Sequence, residues 1–119
     1  MSSPAAKPPD ATIVVVREEL ERLLEGRELR NSQQLRKLLR FLVEETLAGR
    51  SHTLKEYRLG LEVFQRGSDF DPLMDPIVRV QASILRKKLE AHYALLPGGY
   101  EIQITVPRVA TFQRGQKLT

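Results

Sequence analysis

The leucine-rich segment 35–47 constrains the fold of this chain more than any other feature. The residues of one face recur in alternating steps of three and one, at Leu35, Leu38, Leu39, Leu42, Val43, Thr46 and Leu47. This period places them on one face of an α-helix, while charged side chains take the other face. Asn31 and Gln34 form a capping box before the apolar run, and Gly49 can supply a left-handed residue after it. The segment therefore predicts an amphipathic helix that is capped by Asn31 and ended by Gly49.

Shorter helices are predicted on either side of this one. Before it, apolar residues recur at helical spacing, at Ile13, Val16, Leu20, Leu23 and Leu24. After it, Thr53 and Glu56 form a second capping box, and Gly67 marks the end of the short helix that follows. Gly60 lies inside that helix and indicates close packing against it. Residues 1–12 are rich in Pro, Ser and Ala, without an apolar period, and predict a disordered N-terminal segment.

A long helix is predicted over residues 76–96. Asp75 is an N-cap acid, and Pro76 occupies the first helical position, where its missing N–H costs nothing. The apolar stripe of this helix consists of Val78, Ala82, Leu85, Leu89, Tyr93 and Leu96. The side of the helix away from this stripe carries mostly charged and polar residues, namely Arg79, Ser83, Arg86, Lys87 and Glu90. We therefore expect the long helix to bury one side and to present a mostly basic outer face.

The C-terminal part of the chain predicts a β-hairpin. Residues 97–99, Pro-Gly-Gly, break the long helix, and the apolar residues Tyr100, Ile102, Ile104 and Val106 then alternate with polar ones. This period of two is typical of a half-buried strand. Residues 107–110 would form the turn and residues 111–113 the return strand.

The order of these elements predicts the fold class. A short helix, a turn, a long helix and then a hairpin is the order of a winged helix-turn-helix domain, which is mainly α with a C-terminal β-hairpin. We assign this domain to residues 13–114 and a basic tail to residues 115–119.

Basic charge is concentrated in the segment that contains the long helix and the hairpin. Residues 75–119 carry seven basic and three acidic side chains, a surplus equal to the +4 of the whole chain. Such an asymmetry suits a polyanionic partner, although a surplus this small is also consistent with ordinary solubilising charge.

In a winged helix the long helix can enter the major groove of double-stranded DNA, which is about 12 Å wide. The side chains that could reach bases or phosphates from the helix are Arg79, Gln81, Ser83, Arg86 and Lys87. Those that could contact phosphates from the hairpin are Arg108, Arg114 and Lys117.

Other kinds of chemistry find little support in the sequence. The chain has no Cys, which excludes disulfides and thiolate metal sites and favours a cytoplasmic location. Its longest aliphatic run, residues 13–16, is far too short to cross a membrane. His52 and His92 have no neighbouring ligands at metal-binding spacing. We therefore expect no enzyme activity, no metal, no cofactor, no membrane contact and no small-molecule ligand.

Three blocks of the sequence resemble a bacterial regulatory domain. They are residues 35–50, LRKLLRFLVEETLAGR; residues 54–64, LKEYRLGLEVF; and residues 69–80, DFDPLMDPIVRV. Together they are similar to the N-terminal winged-helix domain of bacterial regulators that continue into tetratricopeptide, adenylate-cyclase-like or transmembrane segments. The stretch LRKKL at 85–89 is also similar to the recognition helix of response-regulator effector domains. The resemblance covers residues 16–113 and implies DNA binding by the long helix of a transcription factor.

Departures from the family pattern leave a second hypothesis open. The family usually has arginines where this chain has Ser83 and Ile84, so two candidate phosphate or guanine contacts are missing. Val109 occupies the hairpin turn and does not readily adopt a positive φ. Ile84 also shares an apolar flank with Ile77 and Val80, which either packs on the other helices or forms a subunit contact. The alternative function is therefore a protein-interaction or oligomerisation module without DNA binding, such as a homodimer formed through this flank.

Overall fold

The computed structural model describes residues 7–96 and 102–106. In these residues the chain forms helices α1 (Asp10–Glu25), α2 (Gln33–Leu47), α3 (Glu56–Glu62) and α4 (Ile77–Ala94), with a 3₁₀ turn (Ser51–Thr53) before α3. Helix α2 packs against α1 and α4, and α3 packs against α4. The two helices with the clearest predicted apolar faces, α2 and α4, are therefore in direct contact at the centre of the domain.

The predicted apolar faces meet in one core. Leu20 and Leu24 of α1, Leu38 of α2 and Leu85 of α4 are fully buried. The predicted stripe of α4 is confirmed at Val78, Ala82, Leu85, Leu89 and Tyr93, all of which are buried. Leu96, the last member of the stripe, is 37% exposed, because α4 ends at Ala94. None of the helices in the described part of the chain is long and apolar enough to span a membrane.

The ends of the helices differ from the predictions by a few residues. Ser32 caps α2 in place of Asn31, and its hydroxyl accepts a hydrogen bond from the backbone N–H of Leu35 at 3.3 Å. Gly49 adopts the predicted left-handed conformation after α2, with φ 82°. The capping box of Thr53 is wrong, because this hydroxyl donates to the carbonyl of Arg50 inside the 3₁₀ turn.

Helix α1 begins at Asp10, so the last residues of the predicted disordered segment are helical. The apolar period from Ile13 onward cannot mark this start, because the first helical turn lies before the first core residue. Asp10 is an acidic side chain in that first turn, where it interacts favourably with the helix dipole.

A loop, residues 63–76, joins α3 to α4, and it is much longer than the turn of about 3–4 residues in a typical helix-turn-helix. Phe70 of this loop is buried against Gly60 of α3. The predicted close approach at Gly60 is therefore confirmed, although its partner is a loop side chain.

Arg66 and Asp75 close the loop with an ion pair of 2.8 Å. The other carboxylate oxygen of Asp75 accepts the N–H of Ile77 at 3.2 Å. The N-cap of α4 is nevertheless Pro76 and not the predicted Asp75, because the helix begins one residue later, at Ile77.

The predicted wing is wrong. The described residues contain no β-strand, and 102–106, the last five residues of the first predicted strand, form none. The predicted alternation is present, since Val106 is buried and Thr105 is exposed. However, the N–H of Ile104 donates to the hydroxyl of Tyr93 at 3.1 Å instead of to a neighbouring strand. Within the described residues the segment thus packs against the helices without a partner strand, and this part of the chain is helical without the predicted winged architecture. The predicted return strand, 111–113, lies outside the described residues.

Candidate nucleic-acid interface

The exposed face of α4 lies opposite its buried stripe. Six residues of α4 are exposed on this side of the helix: Val80, Ile84, Lys87, Glu90, Ala91 and Ala94. Four of the six are apolar or small, and Lys87 and Glu90 carry opposite charges. This differs from the mostly basic outer face that the sequence predicts.

Most arginines in the described part of the chain are engaged in ion pairs of the fold. Arg50 and Arg58 both contact the carboxylate of Glu45, at 2.8 Å and 3.0 Å. The hydrogen bond from Arg50, together with the contact from Arg58, lowers the pKa of Glu45 to about 2. The other arginine pairs are Arg17 with Glu44, Arg22 with Glu19, Arg40 with Glu21, Arg66 with Asp75 and Arg79 with Glu56. Cations held in such pairs are poorly placed to neutralise phosphates.

Arg79, one of the predicted DNA contacts, belongs to this paired group. Its guanidinium donates to Glu56 of α3 at 2.9 Å, and the side chain of Glu56 is only 1% exposed. Arg79 therefore stabilises the contact between α3 and α4.

Three consecutive cations on α4 differ from these paired arginines. Arg86, Lys87 and Lys88 have no carboxylate within ion-pair distance among residues 7–96 and 102–106. Lys87 is exposed, whereas Arg86 and Lys88 are half-buried on either side of it. Lys88 was not a predicted contact, although its place in a run of three basic residues is a signal that the sequence contains.

The two polar residues predicted beside these cations are less accessible. Gln81 and Ser83 are both half-buried. Ser83 lies 3.5 Å from a guanidinium nitrogen of Arg86, at the limit of a hydrogen bond. Arg108, Arg114 and Lys117, the predicted contacts of the hairpin, lie outside the described residues.

The apolar flank predicted as a protein interface divides into two parts. Ile77 packs against the core. Val80 and Ile84 lie outside the core, and they are 47% and 38% exposed. The structure therefore leaves two of the three predicted residues accessible.

Histidine and carboxylate side chains in the described residues form no group that could hold a metal ion. His92 instead contacts Glu28, with 3.2 Å between Nδ1 and Oε1. The pKa of Glu28 is lowered by its own backbone N–H and by this contact. His92 thus links α4 to the loop that joins α1 and α2.

Comparison of the chain with protein-family models, with curated proteins and with solved structures finds no match.

Proposed function

We propose that this protein is a module that binds double-stranded DNA through α4, in the setting of a bacterial transcription factor. The observation that supports the proposal most directly is the run Arg86, Lys87 and Lys88, whose charges have no ion-pair partner in the described residues. Unpaired cations on an exposed helix are the electrostatic footprint of a phosphate-binding surface.

The positions of these cations suit a helix in a groove. Successive residues of an α-helix point about 100° apart, so Arg86 and Lys88 project to opposite sides of Lys87. A helix in the major groove has a phosphate strand on each side of it. Arg86 and Lys88 would contact one strand each, and Lys87 would point toward the bases.

The sequence supports the same proposal in two ways. The C-terminal segment holds the basic surplus of the chain, and blocks 35–50, 54–64 and 69–80 resemble regulators for which DNA binding is expected. The proposal needs no wing, since the three cations all lie on α4.

Anisotropy of a labelled mixed-sequence duplex, titrated at several salt concentrations, tests the proposal. A variant with Arg86, Lys87 and Lys88 all changed to alanine removes the proposed contacts. Its matched control changes Arg30, Lys37 and Lys55, which are exposed and without ion pairs among the described residues, and thus removes the same charge elsewhere.

We expect the α4 variant to bind more weakly and to flatten the plot of log K against log salt by about 0.9 for each phosphate that it no longer neutralises. The control should keep most of that slope, because charge at a distance is screened. Equal weakening in the two variants would mean that binding depends on the overall charge of the protein and not on a site on α4. Absence of binding by the unaltered protein at low salt would refute the proposal.

A protein-interaction module is the second candidate, and the exposure of Val80 and Ile84 favours it. In that case two copies would pair through α4. Ile84→Glu would then convert a dimer to a folded monomer, because Ile84 is not part of the core. Light scattering on both proteins decides this point, and a monomeric unaltered protein would exclude the homodimer.

A further inference from the structure

We infer that Val80 and Ile84 recognise the methyl groups of thymine in the major groove. This inference rests on the proposed DNA binding and specifies which base chemistry the helix would select. It gives a role to the two large apolar side chains that are exposed on α4, which the phosphate contacts leave unexplained.

The inference starts from the positions of Val80 and Ile84 on α4. Val80 and Ile84 are one helical turn apart on the exposed face of α4, and they are 47% and 38% exposed. Lys87 follows Ile84 by three residues on the same face. Any occupant that covers the two apolar side chains therefore also meets this cation, and Arg86 and Lys88 beside it.

Charge decides between two occupants. A second copy placed parallel would bring two sets of Arg86, Lys87 and Lys88 together, and like charges in contact disfavour such a pair. An antiparallel copy would place the same cations against the first turn of the other α4, where the helix dipole is positive. The major groove offers the opposite combination. Its edges carry phosphates, and thymine is the one standard base that places an apolar group, the 5-methyl, in it.

The small neighbours of these residues complete the argument. Ser83, Ala91 and Ala94 lie around the same face, so Val80 and Ile84 are the longest apolar side chains there. These small neighbours leave room for Val80 and Ile84 to approach the base edges, and Lys87 on the same face has a long, flexible side chain that can extend past them. Contacts of valine and isoleucine with a methyl group are apolar and need no hydrogen-bond partner.

Removal of the methyl group alone tests the inference. A duplex of alternating dA and dT is compared with one of alternating dA and dU, which keeps the same hydrogen-bonding groups and phosphates. We expect the dU duplex to bind about fourfold more weakly for each methyl group contacted. In a duplex of alternating dG and dC, 5-methylation of cytosine should strengthen binding by a similar factor, because it places a methyl group at the equivalent position.

Substitutions test whether Val80 and Ile84 cause the preference for the dT duplex. Val80→Ala with Ile84→Ala should make the dT and dU duplexes equivalent while the salt slope stays unchanged. Val14→Ala is the matched control, since Val14 is a 56% exposed valine on α1, and it should keep the preference. Circular dichroism of both variants should show an unchanged helical fold, because none of the altered residues is in the core.

The possible outcomes distinguish failure of methyl recognition from failure of DNA binding. Equal binding of dT and dU duplexes by the unaltered protein would overturn methyl recognition and leave DNA binding in place. A preference for dT that survives in the double variant would also overturn it. Failure to bind any of the duplexes at low salt would refute the proposed function as well.

Discussion

Arg79 of α4 and Glu56 of α3 form an ion pair, with 2.9 Å between Nη1 and Oε2, that joins two helices separated by a long loop. The two partners have very different surroundings. The side chain of Glu56 is 1% exposed and that of Arg79 is 40% exposed. The arginine therefore covers a buried carboxylate and faces solvent with its remaining surface.

Replacement of Arg79 by alanine should destabilise the fold. The carboxylate of Glu56 would be deprived of a charged hydrogen bond, and we expect the free energy of unfolding to fall by about 1–3 kcal/mol. Urea denaturation measures this decrease. Arg86→Ala is the matched control, since the contact that Arg86 makes within residues 7–96 and 102–106 is a long one with Ser83, and it should change stability by less than about 0.5 kcal/mol. Equal stability of the two variants would mean that the ion pair contributes nothing to the fold.

The same pair shows where sequence reasoning reaches its limit. The apolar stripes of α2 and α4 could be predicted, because helical periodicity is a local property. The partner of Arg79 could not, because Glu56 lies 23 residues away in sequence and only packing brings the two together. Arg79 was thus predicted to contact DNA, whereas Lys88 was overlooked.

The predicted wing failed for a related reason. Alternation at Ile102, Ile104 and Val106 predicts which side chains are buried, and Val106 is buried. Alternation does not specify what pairs with the backbone. At Ile104 that partner is the hydroxyl of Tyr93, and nothing in the local pattern indicates this.

Gly60 should tolerate no side chain. A Cβ built there would lie 2.6 Å from Cδ2 of the Phe70 ring, and Phe70 is itself buried. We expect Gly60→Ala to lower the free energy of unfolding by about 1–3 kcal/mol through overpacking. Gly67→Ala is the control, because its Cβ would meet only the movable carboxylate of Asp69. Thermal denaturation compares the two, and a Tm of Gly60→Ala at or above that of the unaltered protein would contradict the packing of Phe70 on α3.

Tyr93 should anchor the segment 102–106 through its hydroxyl. This group donates to Oε2 of Glu19 and accepts the N–H of Ile104. Burial raises the pKa of Tyr93 well above its ordinary value, so the hydroxyl keeps the proton that it donates.

We expect Tyr93→Phe to cost about 1–2 kcal/mol and to speed hydrogen exchange at the amide of Ile104. Tyr57→Phe removes a hydroxyl that donates to the carbonyl of Ser68 at the surface, and it should have little effect on either measurement. Unchanged exchange at Ile104 in Tyr93→Phe would show that other contacts hold the segment.

Glu45 should make the fold sensitive to acid. Its pKa in the folded protein is about 2, below the ordinary value of 4.5, because Arg50 and Arg58 stabilise the charged form. A carboxylate with a lowered folded pKa contributes its full stability above the unfolded value and loses it as the pH falls toward the folded value. The contribution of Glu45 should therefore be complete near neutral pH and disappear between about pH 5 and pH 2.

Glu45→Gln isolates this contribution. At pH 7 we expect the variant to be less stable by about 1–2 kcal/mol, less than the full pKa shift implies because both arginines are partly in water and screened. The difference from the unaltered protein should shrink as the pH falls, since a protonated glutamic acid and a glutamine at this position are both uncharged. The lowered pKa values of Glu28 and Asp75 act in both proteins and cancel in the comparison. Urea titrations from pH 7 to pH 3 measure the difference, with Glu21→Gln, an exposed carboxylate, as the control. A difference that stays constant with pH would mean that Glu45 acts through shape and hydrogen bonding rather than through its charge.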